Sequence, residues 1–314
     1  MKIVDQSAVL LRHDLPPYEF IEQVARTCYK SEDKIKPGSA EKMVNALVKS
    51  RHFAMLEHEY IYIVVDDSIW NVITGLPSKD NKFLNFVAFD RCNVISGSYR
   101  AWLEWVEKQK KLLEYADNWQ ICAVLDMLHA YDANLFPDWY YSVDGTDIKG
   151  AKIISRIEME KLCEAYNEPS IALPHTIRFI TPRSIAFELV RHGQASFAQE
   201  SQRYIDYGKA GEIEVISPLI DPSYPQYNDW HYAMVVCETI YNNLRDKGIA
   251  PQIARGVLPN DCKTEIVVTA TEEEWQHIIN LRYFCTTGAA HPQMIQLMEL
   301  AYPILQEESR GRVK

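Results

Sequence analysis

The sequence predicts an α+β protein in which a mixed, largely antiparallel sheet is flanked by helices, with a helical insertion. Short runs of apolar and β-branched residues, such as Tyr60–Val65 and Thr264–Thr269, have the length and composition of strands. Longer stretches, at about 39–50 and 229–247, repeat apolar residues at helical spacing. Helical patterns also dominate the middle of the chain, at 66–172.

This middle block is predicted to be a mainly helical insertion, 66–172, in a domain made of 1–65 and 173–314. Five of the chain's seven tryptophans lie in the block, so we expect it to pack a small core of its own around Trp102 and Trp105. Its helical patterns cover about 98–117, 119–134 and 150–166.

The other elements are predicted from alternation, capping residues and helix breakers. Residues 1–12 alternate weakly and indicate a strand, and Pro16–Pro17 opens a helix. Thr271 and Glu274 fit a T-x-x-E capping box, which predicts a helix that runs to Arg282. Further strands are predicted at 175–180 and 213–216, and a short helix after Pro251.

Another predicted helix precedes the stretch that carries most of the candidate site. Its expected N-cap is Thr181, with Pro182 at the first helical position, and Gly193 is expected to end it in the left-handed conformation. Glu188 lies three and four residues before the Arg191–His192 pair, so these side chains share one helix face. An Arg-His pair at this end of a helix is also commonly structural, because it complements the helix dipole.

An extended chain after this helix would bring three polar side chains onto one face. Gln199, Ser201 and Arg203 alternate in sequence. An amide, a hydroxyl and a guanidinium in a row suit a phosphate group or the edge of a pyrimidine.

Composition limits the function classes. The chain has 314 residues, 47% of them hydrophobic, and a formal net charge of −10, which disfavours nonspecific binding to nucleic acid. No stretch approaches the length of a membrane span, and the N-terminal apolar run is too short for a signal peptide. The seven cysteines form no C-x-x-C pair, so we expect a reduced, cytoplasmic protein without a cysteine nucleophile. No H-E-x-x-H helix is present, and we expect no metal site.

Four dispersed segments resemble the flavin-dependent thymidylate synthase family. The residues from Arg191 to Tyr204 follow the family signature R-H-x-x-A-S-x-x-x-x-S-x-R-Y. Glu57–His58 precedes a strand, as in the family, and the later segments A-R-x-V-L-P at 254–259 and W-x-H-x-x-x-L-R at 275–282 also match. Together these matches span about two thirds of the chain.

The resemblance implies an enzyme that transfers a one-carbon unit from 5,10-methylenetetrahydrofolate to dUMP, with FAD as the cofactor and NADPH as the reductant. It also implies a homotetramer whose sites form between subunits, and the insertion's Arg100 resembles a residue of a longer branch that could face a ligand. By family position, the expected catalytic residues are Arg191 and Arg282. The expected dUMP-binding residues are Glu188, Gln199, Glu200, Ser201, Arg203, Arg255 and Arg282. The expected FAD-binding residues are Cys28, Glu57, His58, Arg191, His192, Gln194 and His277.

Two departures from the family pattern leave alternatives open. Gly193 stands where the signature usually has arginine, and Glu273 stands where the family usually has the arginine of an N-x-R pattern. Both family positions contact the flavin, so weaker FAD binding is expected. The alternatives are a related dUMP hydroxymethylase that releases the one-carbon unit unreduced, and a nucleotide-binding paralogue without flavin or catalysis.

Overall fold

Strands occur in both halves of the chain and form three separate sheets. The computed structural model describes residues 1–81, 83–113, 118–136, 150–165, 170–207 and 212–314. Its strands are β1 (Lys2–Val4), β2 (Ser7–Leu11), β3 (Tyr60–Val65), β4 (Leu84–Phe89), β5 (Cys92–Ser98), β6 (Ala151–Ile154), β7 (Pro174–Pro182), β8 (Ser196–Gln199), β9 (Glu214–Ile216) and β10 (Lys263–Thr271).

The helices pack on these sheets and cover most of their faces. They are α1 (Pro17–Thr27), α2 (Ser39–Lys49), α3 (Asp67–Thr74), α4 (Tyr99–Leu113), α5 (Trp119–Tyr131), α6 (Arg156–Cys163), α7 (Arg183–Leu189), α8 (Pro225–Asp246), α9 (Pro251–Ala254), α10 (Glu272–Arg282) and α11 (Pro292–Glu308). Short 3₁₀ turns occur at Glu32–Lys34, Phe53–His58 and Arg255–Val257. Among the described residues, no helix combines the length and the apolarity that a membrane span requires.

The central sheet is antiparallel, with the strand order β2-β7-β10-β8. Its longest pairing runs from Lys263 opposite Pro182 to Thr271 opposite Pro174. Alternate residues of β10 face opposite layers, since successive side chains of a strand point to opposite faces. Ile266 and Val268 pack with α7, α10 and α11, whereas Val267 packs with the N-terminal helices and the middle block.

The two other sheets complete the predicted mixed architecture. β1 and β9 pair in parallel, and β4, β5, β3 and β6 form a second antiparallel sheet. The fold class is therefore confirmed as α+β with a mixed, largely antiparallel arrangement of strands.

The middle block differs from the prediction in two respects. Its helices α4, α5 and α6 are present, but the block also supplies β4, β5 and β6, which flank β3 on both sides. The helix predicted at 150–166 starts only at Arg156, because the residues before it pair with β3. Trp102 and Trp105 are buried as expected, but in one core with Phe20 and Leu56. The block therefore shares its core with the N-terminal segment and does not pack alone.

The helix before the signature also begins and ends differently from the prediction. Thr181 and Pro182 still belong to β7, so Thr181 is not the N-cap; its hydroxyl donates instead to the side-chain oxygen of Gln6 at 2.8 Å. Gly193 does not have the predicted left-handed conformation, since its φ is not positive. The helix ends four residues before it, at Leu189. Thr271 does cap α10, and its hydroxyl accepts from the backbone N–H of Glu274 at 3.4 Å.

Candidate functional site: two clefts at the ends of one strand

The short strand β8 separates the signature into two halves. Arg191–Gln194 lies before the strand and Gln199–Arg203 lies at its end and in the turn that follows. Four strand residues span roughly 13 Å, and the two halves do not line a common cleft. Each half instead lines a cleft of its own.

The first cleft, here called the Arg191 cleft, has a volume of about 590 Å³. It is formed where the end of α7 meets the end of α10 and the loop before α11. Its lining residues are Arg191, His192, Gly193, Gln194, Glu274, His277, Leu281, Arg282, Thr287, Gly288, Ala289 and Ala290. Two arginines against one glutamate make this cleft suitable for an anion.

Arg282 organises the Arg191 cleft through three hydrogen bonds. Its Nε–H donates to Nε2 of His192 at 3.1 Å, and its two terminal nitrogens donate to the carboxylate and the backbone carbonyl of Glu188, each at 3.3 Å. The last residue of α10 is thereby tied to the last turn of α7. Arg282 and Glu188 therefore form a frame that holds His192 in place.

His192 is neutral at physiological pH in this setting. Burial, followed by the charges of Arg282, His277 and Arg191, lowers the pKa of His192 to about 4. Because Nε2 accepts from Arg282, the single ring proton lies on Nδ1, which faces the carboxylate of Glu274 at 3.8 Å. Burial raises the pKa of Glu274.

The second cleft, here called the Arg203 cleft, has a volume of about 610 Å³. It is formed by the turn after β8 together with α1, α2 and the 3₁₀ turn before β3. Its apolar wall consists of Ala25, Met43, Ala46, Leu47, Ala54, Met55 and Phe197. Its polar or aromatic lining residues are Cys28, Tyr29, Ser50, His52, Gln199, Ser201, Arg203 and Tyr204.

The polar residues of the Arg203 cleft are only partly engaged by the protein. The backbone N–H of Ser201 donates to the carbonyl of Cys28 at 2.9 Å, which joins the turn to α1. The amide of Gln199 donates to Thr264 at 3.3 Å. Arg203 is exposed, its guanidinium lies 5.6 Å from the ring centroid of Tyr204, and no carboxylate pairs with it within the described ranges. Its guanidinium is therefore available to a ligand.

The structure thus brings Gln199, Ser201 and Arg203 to one cleft, although not by the predicted route. The strand ends at Gln199 and the chain then turns, so the three do not alternate along an extended segment. Cys28 lines the same cleft as a neutral thiol, because burial raises its pKa to about 11.

Five expected site residues lie outside the lining of both clefts: Glu188, which binds Arg282 as described above, and four others. Glu200 is buried with partners of its own: it accepts from the hydroxyl of Tyr207 at 2.6 Å and from Lys263 at 3.4 Å. Arg255 lies near Arg183, whose pKa is lowered first by burial and further by the charge of Arg255.

Glu57 and His58 are the other two. Glu57 pairs with Arg100 of α4, and Arg100 also binds Glu104 at 2.7 Å. Arg100 therefore bridges two glutamates of the protein and is outside the lining of both clefts. His58 is fully buried, and its Nδ1 is 2.7 Å from the hydroxyl of Thr269.

The sequence analysis missed the apolar wall of the Arg203 cleft and the loop of the Arg191 cleft. Met43 and Leu47 of α2 are four residues apart and so share a helix face, which is a signal for a common surface. Nothing local in the sequence separates a core-facing pair from one that lines a cleft.

The C-terminal half of the chain is similar to proteins of known family. Residues 172–309 match the family model of the thymidylate synthase complementing protein, Thy1. The flavin-dependent thymidylate synthase of Geobacter sulfurreducens is 35% identical over 100 residues, which are 32% of this chain and 43% of that protein. The enzyme of the same name from Pyrococcus furiosus is 32% identical over 130 residues, 41% of this chain and 51% of that protein.

The matched region is similar to the flavin-dependent thymidylate synthases. The chain spans about half the length of the curated relatives that it matches. The UMP/dUMP methylase PolB from Streptomyces cacaoi, solved with 5-Br dUMP, aligns over 100% of this chain and 99% of its own, with 17% identity and a TM-score of 0.39.

The family region contains every lining residue of the Arg191 cleft. The Arg203 cleft is composite: the family region supplies its polar residues Gln199, Ser201 and Arg203, and residues between Ala25 and Met55 supply most of its apolar wall.

Proposed function

We propose that this protein is a flavin-dependent thymidylate synthase, which methylates dUMP to dTMP with 5,10-methylenetetrahydrofolate, FAD and NADPH. The observation that carries the proposal is the arrangement of the family signature around β8. One end of the strand presents a cationic cleft, and the other presents a free guanidinium beside an apolar wall. A nucleotide and a flavin both combine phosphate with a flat ring, so each needs charge and apolar surface together. The seven free cysteines suit a reducing compartment, the cytoplasm.

The residues of the Arg191 cleft fit the anionic part of FAD. Arg191 is exposed, and Gln194 and His277 flank it in the lining. A side-chain carbon placed on Gly193 would meet nothing within 4 Å, so the position of the lost arginine is open space. Glu273 is exposed and outside the cleft lining, and therefore does not block it. Arg191, His192, Gln194 and His277 would hold the cofactor, with Cys28 and His58 as further predicted contacts. Bound FAD supplies the redox chemistry, while the side chains bind and orient the reactants.

The Arg203 cleft fits the nucleotide. A guanidinium pairs with phosphate in two parallel hydrogen bonds, and the Ser201 hydroxyl and the Gln199 amide add neutral donors. Tyr29 and Tyr204, whose ring centroids are 5.3 Å apart, stand at the same cleft. Because Cys28 is protonated at neutral pH, it is a neighbour of the ligand and not a nucleophile.

A complete site requires a second copy of the chain. Arg203, Arg255 and Arg282 lie in three different places, although the family pattern assigns all three to dUMP. In an oligomer, such as the homotetramer that the resemblance implies, the Arg203 cleft of one chain would lie beside the Arg191 cleft of another. Exposed apolar side chains support association: Tyr232, Val235 and Ile240 lie at helical spacing on α8, and monomers rarely expose such stripes.

The first experiment measures cofactor and product. Purified protein is titrated with FAD, with and without dUMP, and flavin fluorescence is recorded. Quenching is expected in both titrations. Incubation with dUMP, methylenetetrahydrofolate and NADPH, followed by mass spectrometry, should then show dTMP. Hydroxymethyl-dUMP as the end product would identify the hydroxymethylase instead, and the absence of flavin binding would favour the paralogue.

The second experiment tests whether sites form between subunits. Arg203→Ala and Arg282→Ala variants are each expected to be inactive. When the two are co-expressed with different tags and purified as a mixed assembly, sites that combine two intact clefts should restore part of the activity. Two variants of one cleft, Arg203→Ala with Ser201→Ala, serve as the matched control and should restore none. Equal activity of both mixtures would contradict a site shared between chains.

A further inference from the structure

Five side chains outside both clefts, three of them fully buried, form one continuous chain of hydrogen bonds. The carboxylate of Glu59 is 2.9 Å from Nδ1 of His13, and Nε2 of His13 is 2.8 Å from the hydroxyl of Thr176. That hydroxyl is 2.7 Å from the hydroxyl of Thr269, which is 2.7 Å from Nδ1 of His58. We call this set the Glu59–His58 chain.

The surroundings differ at the two ends of the chain. Glu59 and His13 line a cavity of about 700 Å³ between the central sheet and the sheet of the middle block. Thr176 and Thr269 are directly opposed on β7 and β10 and are buried. At the far end, Nε2 of His58 is buried and has no hydrogen-bond partner among the described residues. A buried polar atom without a partner is rare, and so calls for an explanation.

Donor counting fixes the direction of every bond when Glu59 is ionised and both histidines are neutral. A carboxylate only accepts, so His13 must donate through Nδ1 and accept at Nε2. Thr176 must then donate to His13, and Thr269 must donate to Thr176, since each hydroxyl has one proton. His58 therefore donates through Nδ1, and its Nε2 is a bare acceptor.

A proton delivered to Nε2 of His58 by a donor there reverses the whole chain. His58 passes its Nδ1 proton to Thr269, Thr269 passes its own to Thr176, Thr176 passes its own to Nε2 of His13, and His13 passes its Nδ1 proton to the carboxylate of Glu59. One N–H or O–H bond breaks for each that forms, so the equivalent of one proton moves from Nε2 of His58 to Glu59 at the cavity. The backbone carbonyl of Phe197 favours the protonated form of the His58 ring.

Burial keeps both histidines neutral at physiological pH. Burial lowers the pKa of His13 against the opposing effect of Glu59, and Arg156 and His175 lower it further. Burial, followed by the charge of His13, lowers the pKa of His58 to about 3. The other ionisable groups near the cavity end are Tyr99, Tyr131, Arg12, Asp14, Glu160 and Glu308.

We propose that Glu59, His13, Thr176 and Thr269 are positioning residues that determine which nitrogen of His58 carries the proton, and that the chain carries one proton between the cavity and Nε2 of His58. Its bearing on catalysis rests on the proposed function, through the predicted place of His58 at the cofactor. The hydrogen-bonded chain itself does not depend on that function. This role of Glu59 and His13 is separate from ligand binding in the two clefts.

The test reads the His58 tautomer directly. Protein with ¹⁵N-labelled histidine is studied by magic-angle-spinning NMR, which works for any assembly size, and His58 is assigned by the signal lost in His58→Gln. At neutral pH the wild type should show a protonated Nδ1 and a bare Nε2. In Glu59→Gln, the amide can donate to His13 as well as accept from it, so the direction of the chain is no longer fixed; a measurable fraction of His58 should then carry its proton on Nε2.

Two variants separate transmission along the chain from local disturbance. Thr176→Val removes the middle link at nearly constant volume, so adding Glu59→Gln to it should no longer change the His58 tautomer. Thr181→Val removes another buried hydroxyl of β7, outside the chain, and should leave the response to Glu59→Gln intact. A wild-type Nε2–H at neutral pH, or an unchanged response in Thr176→Val, would overturn the proposal. Flavin titration of the same variants shows separately whether the proposed enzyme fails.

Discussion

The Arg191 cleft and the Arg203 cleft have similar volumes but opposite chemistry. In the first, the cation that shapes the cleft is already committed: Arg282 binds Glu188 and His192. In the second, Arg203 is exposed without a carboxylate partner among the described residues, beside a wall of methionine, leucine and alanine side chains. The first cleft is therefore preorganised by the protein itself, and the second keeps its strongest donor for a ligand.

This difference indicates how the proposed site divides its work. Preorganised donors lose little freedom on binding, which favours accurate placement of a reactant. A free guanidinium gives affinity for a phosphate but no fixed geometry until the phosphate arrives. The Arg191 cleft supplies fixed geometry and the Arg203 cleft supplies a free guanidinium. The two clefts are therefore complementary, as two halves of one site between subunits would be.

The largest effect is expected from removing the free guanidinium. Arg203→Ala should weaken dUMP binding by about 1.5–3 kcal/mol, or roughly ten- to a hundredfold, because a charge-assisted contact is lost. Isothermal titration calorimetry measures it. Arg12→Ala, which removes an exposed arginine paired with Glu308 away from both clefts, is the control and should bind normally. Unchanged affinity in Arg203→Ala would remove the nucleotide from this cleft.

A second change adds a cation to the preorganised cleft. Gly193→Arg should tighten FAD binding about tenfold, since one charge-assisted contact is gained and the position is sterically open. Gly193 has no positive φ, so a side chain causes no backbone strain. Gly193→Ala is the matched control and should bind FAD as the wild type does. Equal fluorescence titrations for all three proteins would show that this position does not meet the cofactor.

A smaller effect concerns pH and the frame around His192. Its pKa is about 4 in the folded protein, against 6.5 for an ordinary histidine. Between these values the unfolded chain binds more protons, so His192 makes the free energy of unfolding fall as the pH falls from 6.5 toward 4. Going from pH 6.5 to 5 should cost about 1 kcal/mol more in the wild type than in His192→Gln, whose amide can still accept from Arg282. Urea unfolding at the two pH values measures this difference; identical pH slopes would mean that His192 is not desolvated.

The smallest effect is expected from Cys28. Cys28→Ser should change turnover less than about twofold, because a buried thiol with a pKa of about 11 is protonated and is not a nucleophile. Steady-state kinetics measures the effect, with Cys285→Ser at a loop site as the comparison. A covalent dUMP adduct mapped to Cys28 by mass spectrometry would contradict both the neutral thiol and the division of roles between the clefts.

The sequence by itself predicted most of what is local. The strands at 60–65 and 264–269, the helix at 39–50 and the cap at Thr271 follow from periodicity and capping within a few residues. It also predicted that Gln199, Ser201 and Arg203 act together, because the signature places them close in the chain.

The tertiary structure alone decided how distant segments combine. β4, β5 and β6 became strands by pairing around β3, since a strand needs a partner that local sequence does not specify. The tertiary structure also divided the signature between two clefts and buried Glu200 with Lys263 and Tyr207. Hydrogen bonds across the fold joined five further residues into one chain: Glu59, His13, Thr176, Thr269 and His58. Each of these contacts links residues from different elements, and their geometry depends on the packing of the whole fold.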